Sequence, residues 1–227
     1  MLVAPVLMVL VAWLQWDTTS AAVWLGLLET VLPEYTLNSL LLCLLVALGV
    51  VSIGSVGAVA VSLFDFPGRQ TLSWLLLLPL AMPAYVVAYA YTDFLQYSGP
   101  LQMWLRQHSG WQGALWPDVR STWGAAVVLS LSLYPYVYLL CRSAFSERAP
   151  QLMAAARLLG ASVPRRVFRV ALPLARPAIA AGLALAMMET LADFGVSSYF
   201  GVQTFSTGIY KAWLVMDNRV AAAQLSS

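Results

Sequence analysis

The chain has 227 residues, 61% of them hydrophobic and only 10% charged, with a net charge of +2 and a mean hydropathy of +0.78. Soluble globular domains typically carry about 25% charged residues, so this composition cannot cover a water-facing surface. The small net charge gives no sign of nucleic-acid binding, and no strand-like alternation over about ten residues marks a membrane β-barrel.

Residues 1–16, "MLVAPVLMVLVAWLQW", lack the basic start and small-residue cleavage site of a signal peptide and read as a first membrane helix. A loop covers Asp17–Glu34. No charge interrupts the thirty residues Tyr35–Phe64, more than the roughly 20 needed to cross the hydrocarbon. Backbone groups in lipid must be satisfied within the segment, so 35–64 is a second helix. Its "GVVSIGSVGAVA" sets small residues close together, as tight helix packing requires. "DFPGRQ" is a turn. Residues 70–95 form a third helix, with Pro79 and Pro83 as expected kinks. The loop Gln96–Arg120 carries Trp104, Trp111 and Trp116 at headgroup level, and the lone His108 is a solvated side chain. A fourth helix spans 121–142 and a fifth 173–199. Gly201–Asn218 is a loop, and 219–227 begins a sixth helix that is incomplete. The sum is one all-α polytopic bundle over 1–227, with about five complete transmembrane helices plus that start. Cys43 and Cys141 sit in apolar spans as core residues, with neither a disulfide nor a metal expected.

The basic residues are asymmetric. Arg69 and the seven arginines from Arg142 to Arg176 fall on one side, making eight; Arg106, Arg120, Lys211 and Arg219 fall on the other, making four. Cytoplasmic loops carry the excess. Met1 and the 143–172 loop are therefore expected inside, and Gln96–Arg120 outside.

That loop has internal order. Ala154-Ala155-Ala156 followed by Arg157 favours a short helix. Gly160 suits a left-handed helix end. Ser162 and Pro164 suit the cap and first turn of a second helix. Its spacing resembles the E-A-A-x3-G-x9-I-x-L-P loop of type I ABC importer permeases. Ala155 and Ala156 match the alanines, Gly160 the glycine, Val170 the isoleucine, and Leu172-Pro173 the final pair; Ala154 stands where that family has glutamate. The resemblance implies a coupling helix, including Arg157, that docks on a cytoplasmic ATPase dimer. Arg165, Arg166 and Arg169 would meet acidic ATPase residues or anionic lipid heads, with the balance toward lipid. "LLLLPLAMPAYVVAYAYTDFLQYSGPLQ" and "METLADFGVSSYFGVQTFSTGIYKAW" resemble ferric-iron importer permeases in particular. Those are usually fused chains with two such loops; the single loop here implies an N-terminal half or a truncated chain.

The implied function is an inner-membrane permease served by a periplasmic solute-binding protein and completed by a second permease half. Ferric iron is the first expected solute. Thiamine, sulfate, phosphonate or polyamine permeases are the alternatives. A membrane enzyme using Glu189 and Asp193 as an acid/base pair is the distant one, since no nucleophile, phosphate loop or cofactor motif accompanies them. Glu189 and Asp193 lie four apart, so as helix they share a face. They are expected to line the solute path as hard oxygen donors, with Tyr85, Tyr89 and Tyr199 as weaker ones.

Overall fold

The computed structural model describes residues 30–215 and 219–226, and no strand forms among them. The expected first helix, 1–16, lies outside the described residues. Helix α1, Leu32–Leu63, is an unbroken rod. Its buried positions, Tyr35, Ser39, Leu42, Val46, Val50, Gly54, Ala58 and Val61, recur every three or four residues. Leu37, Leu40, Leu44 and Leu48 lie exposed on the opposite face, the lipid-facing side of a membrane helix.

The third expected span is broken. Helix α2, Arg69–Leu75, leads into a 3-10 turn at Leu78–Ala81, and helix α3 restarts at Ala84–Leu95. The direction changes by 102° between the two parts. Pro79 lies inside the 3-10 turn, and Pro83, with φ −59° and ψ 139°, caps α3. Prolines lack the N–H that would continue the helix, so the break falls between them. The 96–120 segment is not plain loop either. Helix α4, Pro100–Ser109, starts on its proline and ends at Gly110 in the left-handed region, φ 69°. Buried Gln102 ties it down, donating to the Leu95 carbonyl at 3.0 Å and accepting from the Leu115 N–H at 3.3 Å.

Helix α5 is the centre of the molecule. It runs from Thr122 to Leu158 without interruption, well beyond the expected end at 142. Beyond Gly160 the chain turns back through α6, Val163–Arg166, a π-turn at Val167–Ala171, and α7, Leu172–Leu174. Helix α8, Arg176–Ala192, follows after a 63° bend. Pro173 cannot donate and would crowd a regular helix, so the wider π-turn upstream relieves it. The expected fifth span 173–199 also stops early, at Ala192; α9, Gly195–Tyr199, is a separate short helix. The expected loop after it contains α10, Phe205–Tyr210, and a π-turn at Lys211–Val215. Helix α11, Arg219–Leu225, is a seven-residue helix within 219–227.

Helices α1 and α5 form the principal pair, and α8 packs on both. They approach closely at Val137. A Cβ at Gly54 of α1 would lie 2.9 Å from Val137 Cβ, and one at Gly182 of α8 would lie 2.7 Å from Val137 Cα. Two glycines thus admit two backbones to one turn of α5, where Val137, Tyr138 and Cys141 are all fully buried. Cys43 and Cys141 are both free thiols.

Candidate functional site

The described bundle has two distinct ends. At one, the end of α1 and start of α2 meet α5 near Arg142–Ser146; the turn carrying Arg157, Arg165, Arg166 and Arg169 lies beyond, on the same side. This is the basic end. At the opposite end, the start of α1 meets the 203–208 segment: Asn38 Nδ2 donates to the Gln203 carbonyl at 3.1 Å, and the Phe205 N–H donates to Ser39 Oγ at 3.1 Å.

At the basic end, Ala154, Ala155 and Ala156 form the last turns of α5 rather than a separate short helix. The alanine-rich stretch favours helix up to its glycine, and the helix runs through Pro150 to reach it. Leu159 is the cap residue and Gly160 follows at φ 76°. The Gly160 N–H donates to Arg157 O, and the Ala161 N–H to Ala156 O, each at 3.0 Å. This is the paired bond pattern of a Schellman end, which satisfies the last carbonyls and needs a left-handed residue. Leu158 and Leu159 protrude from this end, 89% and 87% exposed. Ala154 and Ala155 are exposed too, and Ala156 is half-buried. Ser162 has the extended geometry of a cap, but its side chain makes no capping bond; Pro164, in the first turn, has no N–H for it to accept. Arg165 is exposed and Arg166 half-buried on α6. Val170 lies in the π-turn and Leu172-Pro173 in α7. Ala171 and Ala175, both fully buried, hold the returning segment to the bundle.

The carboxylates of Glu189 and Asp193 stay one helical turn apart. Asp193 is the cap residue of α8, with φ −72° still helical and ψ 115° turning the chain out. Its Oδ2 accepts the N–H groups of Val196 and Ser197 at 2.9 and 3.1 Å. Asp193 therefore satisfies the first donors of α9, a structural duty. Its backbone carbonyl accepts the Ser206 hydroxyl at 2.7 Å. Glu189 is exposed on α8. The tyrosines do come together. Tyr89 and Tyr199 have ring centroids 4.2 Å apart, and a Cβ at Gly195 would lie 3.2 Å from Tyr85 Cβ. All three therefore cluster around α9, with Tyr85 and Tyr89 more than half exposed.

Two features escaped the sequence reading. Thr204 and Thr207 cap α10 reciprocally, the Thr204 N–H reaching Thr207 Oγ1 at 2.8 Å. "TFST" carries the hydroxyl of a capping box but not its usual Glu or Gln. The second is a buried bond from Tyr138 Oη to the Ser73 carbonyl, 3.0 Å across 65 residues, which nothing local announces.

Long apolar rods and proline-broken spans are those of a helical membrane protein. Residues 51–213 match the family model described as the binding-protein-dependent transport system inner membrane component. The chain belongs to that family. It is 26% identical over 196 residues to an Fe(3+)-transport system permease protein of Haemophilus influenzae, covering 86% of this chain and 35% of that protein. A Bacillus subtilis protein named for molybdenum transport is 25% identical over 77% of each chain. The sulfate transport system permease protein CysT of Escherichia coli is 31% identical over 133 residues, 58% of this chain and 46% of that one. The chain thus spans under half the length of the iron and sulfate relatives. All three are named as permease proteins rather than enzymes, which sets aside the acid/base reading of Glu189 and Asp193.

Proposed function

We propose that the chain lines one half of the solute path of a binding-protein-dependent ABC importer in the inner membrane. It takes up the motion of a cytoplasmic ATPase dimer through the Ala154–Gly160 helix end. One observation carries this reading: α5 is a single rod from Thr122 to Leu158, about 55 Å at 1.5 Å per residue, tipped by exposed Leu158 and Leu159. A push on that tip moves the most buried helix of the bundle directly. The basic end is then cytoplasmic, with Arg165, Arg166 and Arg169 beside anionic lipid heads. A periplasmic binding protein meets the opposite end. A second permease half, on the same chain or another, completes the path. Gly160→Val tests the coupling. A β-branched residue in the left-handed region costs roughly 1–2 kcal/mol, so co-purification of the ATPase with the assembled permease should fall about tenfold while the bundle stays folded. Unchanged docking and transport would overturn the coupling role.

The solute is a small inorganic ion, with ferric iron the first reading. It is supported by the iron relative, whose match covers 86% of this chain, and by the exposed Glu189 carboxylate and the phenols of Tyr85, Tyr89 and Tyr199 as hard donors. An oxyanion is the second reading. It is favoured by Asp193, whose side chain is held by its own backbone, and by the molybdenum and sulfate relatives. Uptake of radioactive ferric ion, molybdate and sulfate by the assembled importer separates them. On the iron reading, iron enters and Glu189→Gln lowers its uptake at least tenfold with ATP turnover retained. Oxyanion uptake indifferent to Glu189→Gln establishes the second reading instead.

A further inference from the structure

At the basic end, α1, α2 and α5 line an open cavity of about 810 Å³, within the size range of small-molecule sites. Arg69 and Arg142 both line it, with Gln70, Thr71 and Ser146. Among the described residues, no carboxylate lines it. Arg69 is held in place, donating Nε to the Val61 carbonyl and Nη1 to Asp65, each at 2.5 Å. That partner carboxylate is 95% exposed, so water screens it and it offsets little of the arginine's charge. Arg142 is half-buried beside the Tyr138 hydroxyl, which is itself fixed on Ser73. Two guanidiniums, 73 residues apart in sequence, are thus brought to the wall of one polar cavity.

We propose that this cavity binds a phosphate-type oxyanion between Arg69 and Arg142. Planar guanidinium forks bind the oxygens of phosphate-type oxyanions bidentately, as they bind carboxylates. Gln70 and Thr71 supply further neutral donors on the α2 side. The cavity lies where α1 ends and α5 leaves the apolar span Thr122–Ser146, which is headgroup depth. Two sources carry this chemistry there, the phosphate of an anionic lipid and a free oxyanion of the cytoplasm. The site is independent of the solute carried and of the coupling helix.

The test uses the assembled importer in detergent. Native mass spectrometry reads retained phosphatidylglycerol against phosphatidylcholine, and thermal melting reads protection by inorganic phosphate. Arg69→Gln and Arg142→Gln should each lower binding roughly fivefold, while Arg176→Gln, which removes the same charge from the same end outside the cavity, should not. Selective loss of phosphatidylglycerol identifies a lipid headgroup; loss of phosphate protection identifies a free oxyanion. Should the arginine variants fail to fold, Thr71→Glu keeps both arginines and puts a carboxylate on the cavity wall. It should also lower binding. Parental binding in a folded variant, or an equal loss in Arg176→Gln, overturns the proposal.

Discussion

Helices α1 and α5 are both long and apolar enough to cross a membrane, yet they occupy opposite environments. Over its most apolar eighteen residues α1 is 28% buried within the chain, against 72% for α5. The more apolar helix is the more exposed one. In water this would be inverted; in lipid, a leucine gains nothing by moving from hydrocarbon to protein. What places α5 at the centre is fit and polarity. It carries Ser130, Ser132, Tyr134 and Tyr138 at buried positions, and it receives Gly54 and Gly182 against its backbone. Small residues and hydroxyls join Val and Leu in the core of this bundle.

The contrast can be broken at its tightest point. Gly182→Leu places a side chain where even a Cβ would meet the Val137 backbone at 2.7 Å. Overpacking of this kind costs about 3 kcal/mol or more when backbone must move. Yield of monodisperse protein in detergent should collapse; parental yield and melting would mean that α8 does not seat on α5. A smaller effect is expected from Tyr138→Phe, which leaves the buried Ser73 carbonyl without its donor. The loss should be about 1–2 kcal/mol, read by denaturant unfolding in micelles, with Tyr136→Phe on the same helix as the comparison. The smallest belongs to α1. Leu44, 59% exposed, can become Ala at under about 0.5 kcal/mol. A melting temperature lowered as far as in Tyr138→Phe would show that this face of α1 is covered by protein rather than lipid.

Much of this was legible in the sequence, for reasons that are local. Hydrophobic length specified α1, and the Gly160 turn followed from a glycine placed behind a run of helix formers. The path residues were less legible. Four-residue spacing sets Glu189 and Asp193 one turn apart, but does not announce that Asp193 ends the helix and binds the N–H groups of Val196 and Ser197. A carboxylate two residues ahead of a helix start can cap that helix or extend the previous one, and the sequence alone allows both.

By itself the sequence determined the solvent, because an apolar composition dictates lipid, and its arginine count sets the expectation of which loops stay inside. It also determined the helix end at Gly160, because the alanine run and the glycine act within a few residues of each other; that this end is the tip of α5 emerged only in the fold. Only the tertiary structure decided which helix is central, that Arg69 and Arg142 share a cavity, and that Asp193 serves the backbone. Those outcomes depend on contacts between residues far apart in the chain, where close approach of small side chains and competition for hydrogen-bond partners, rather than local preference, set the minimum of free energy.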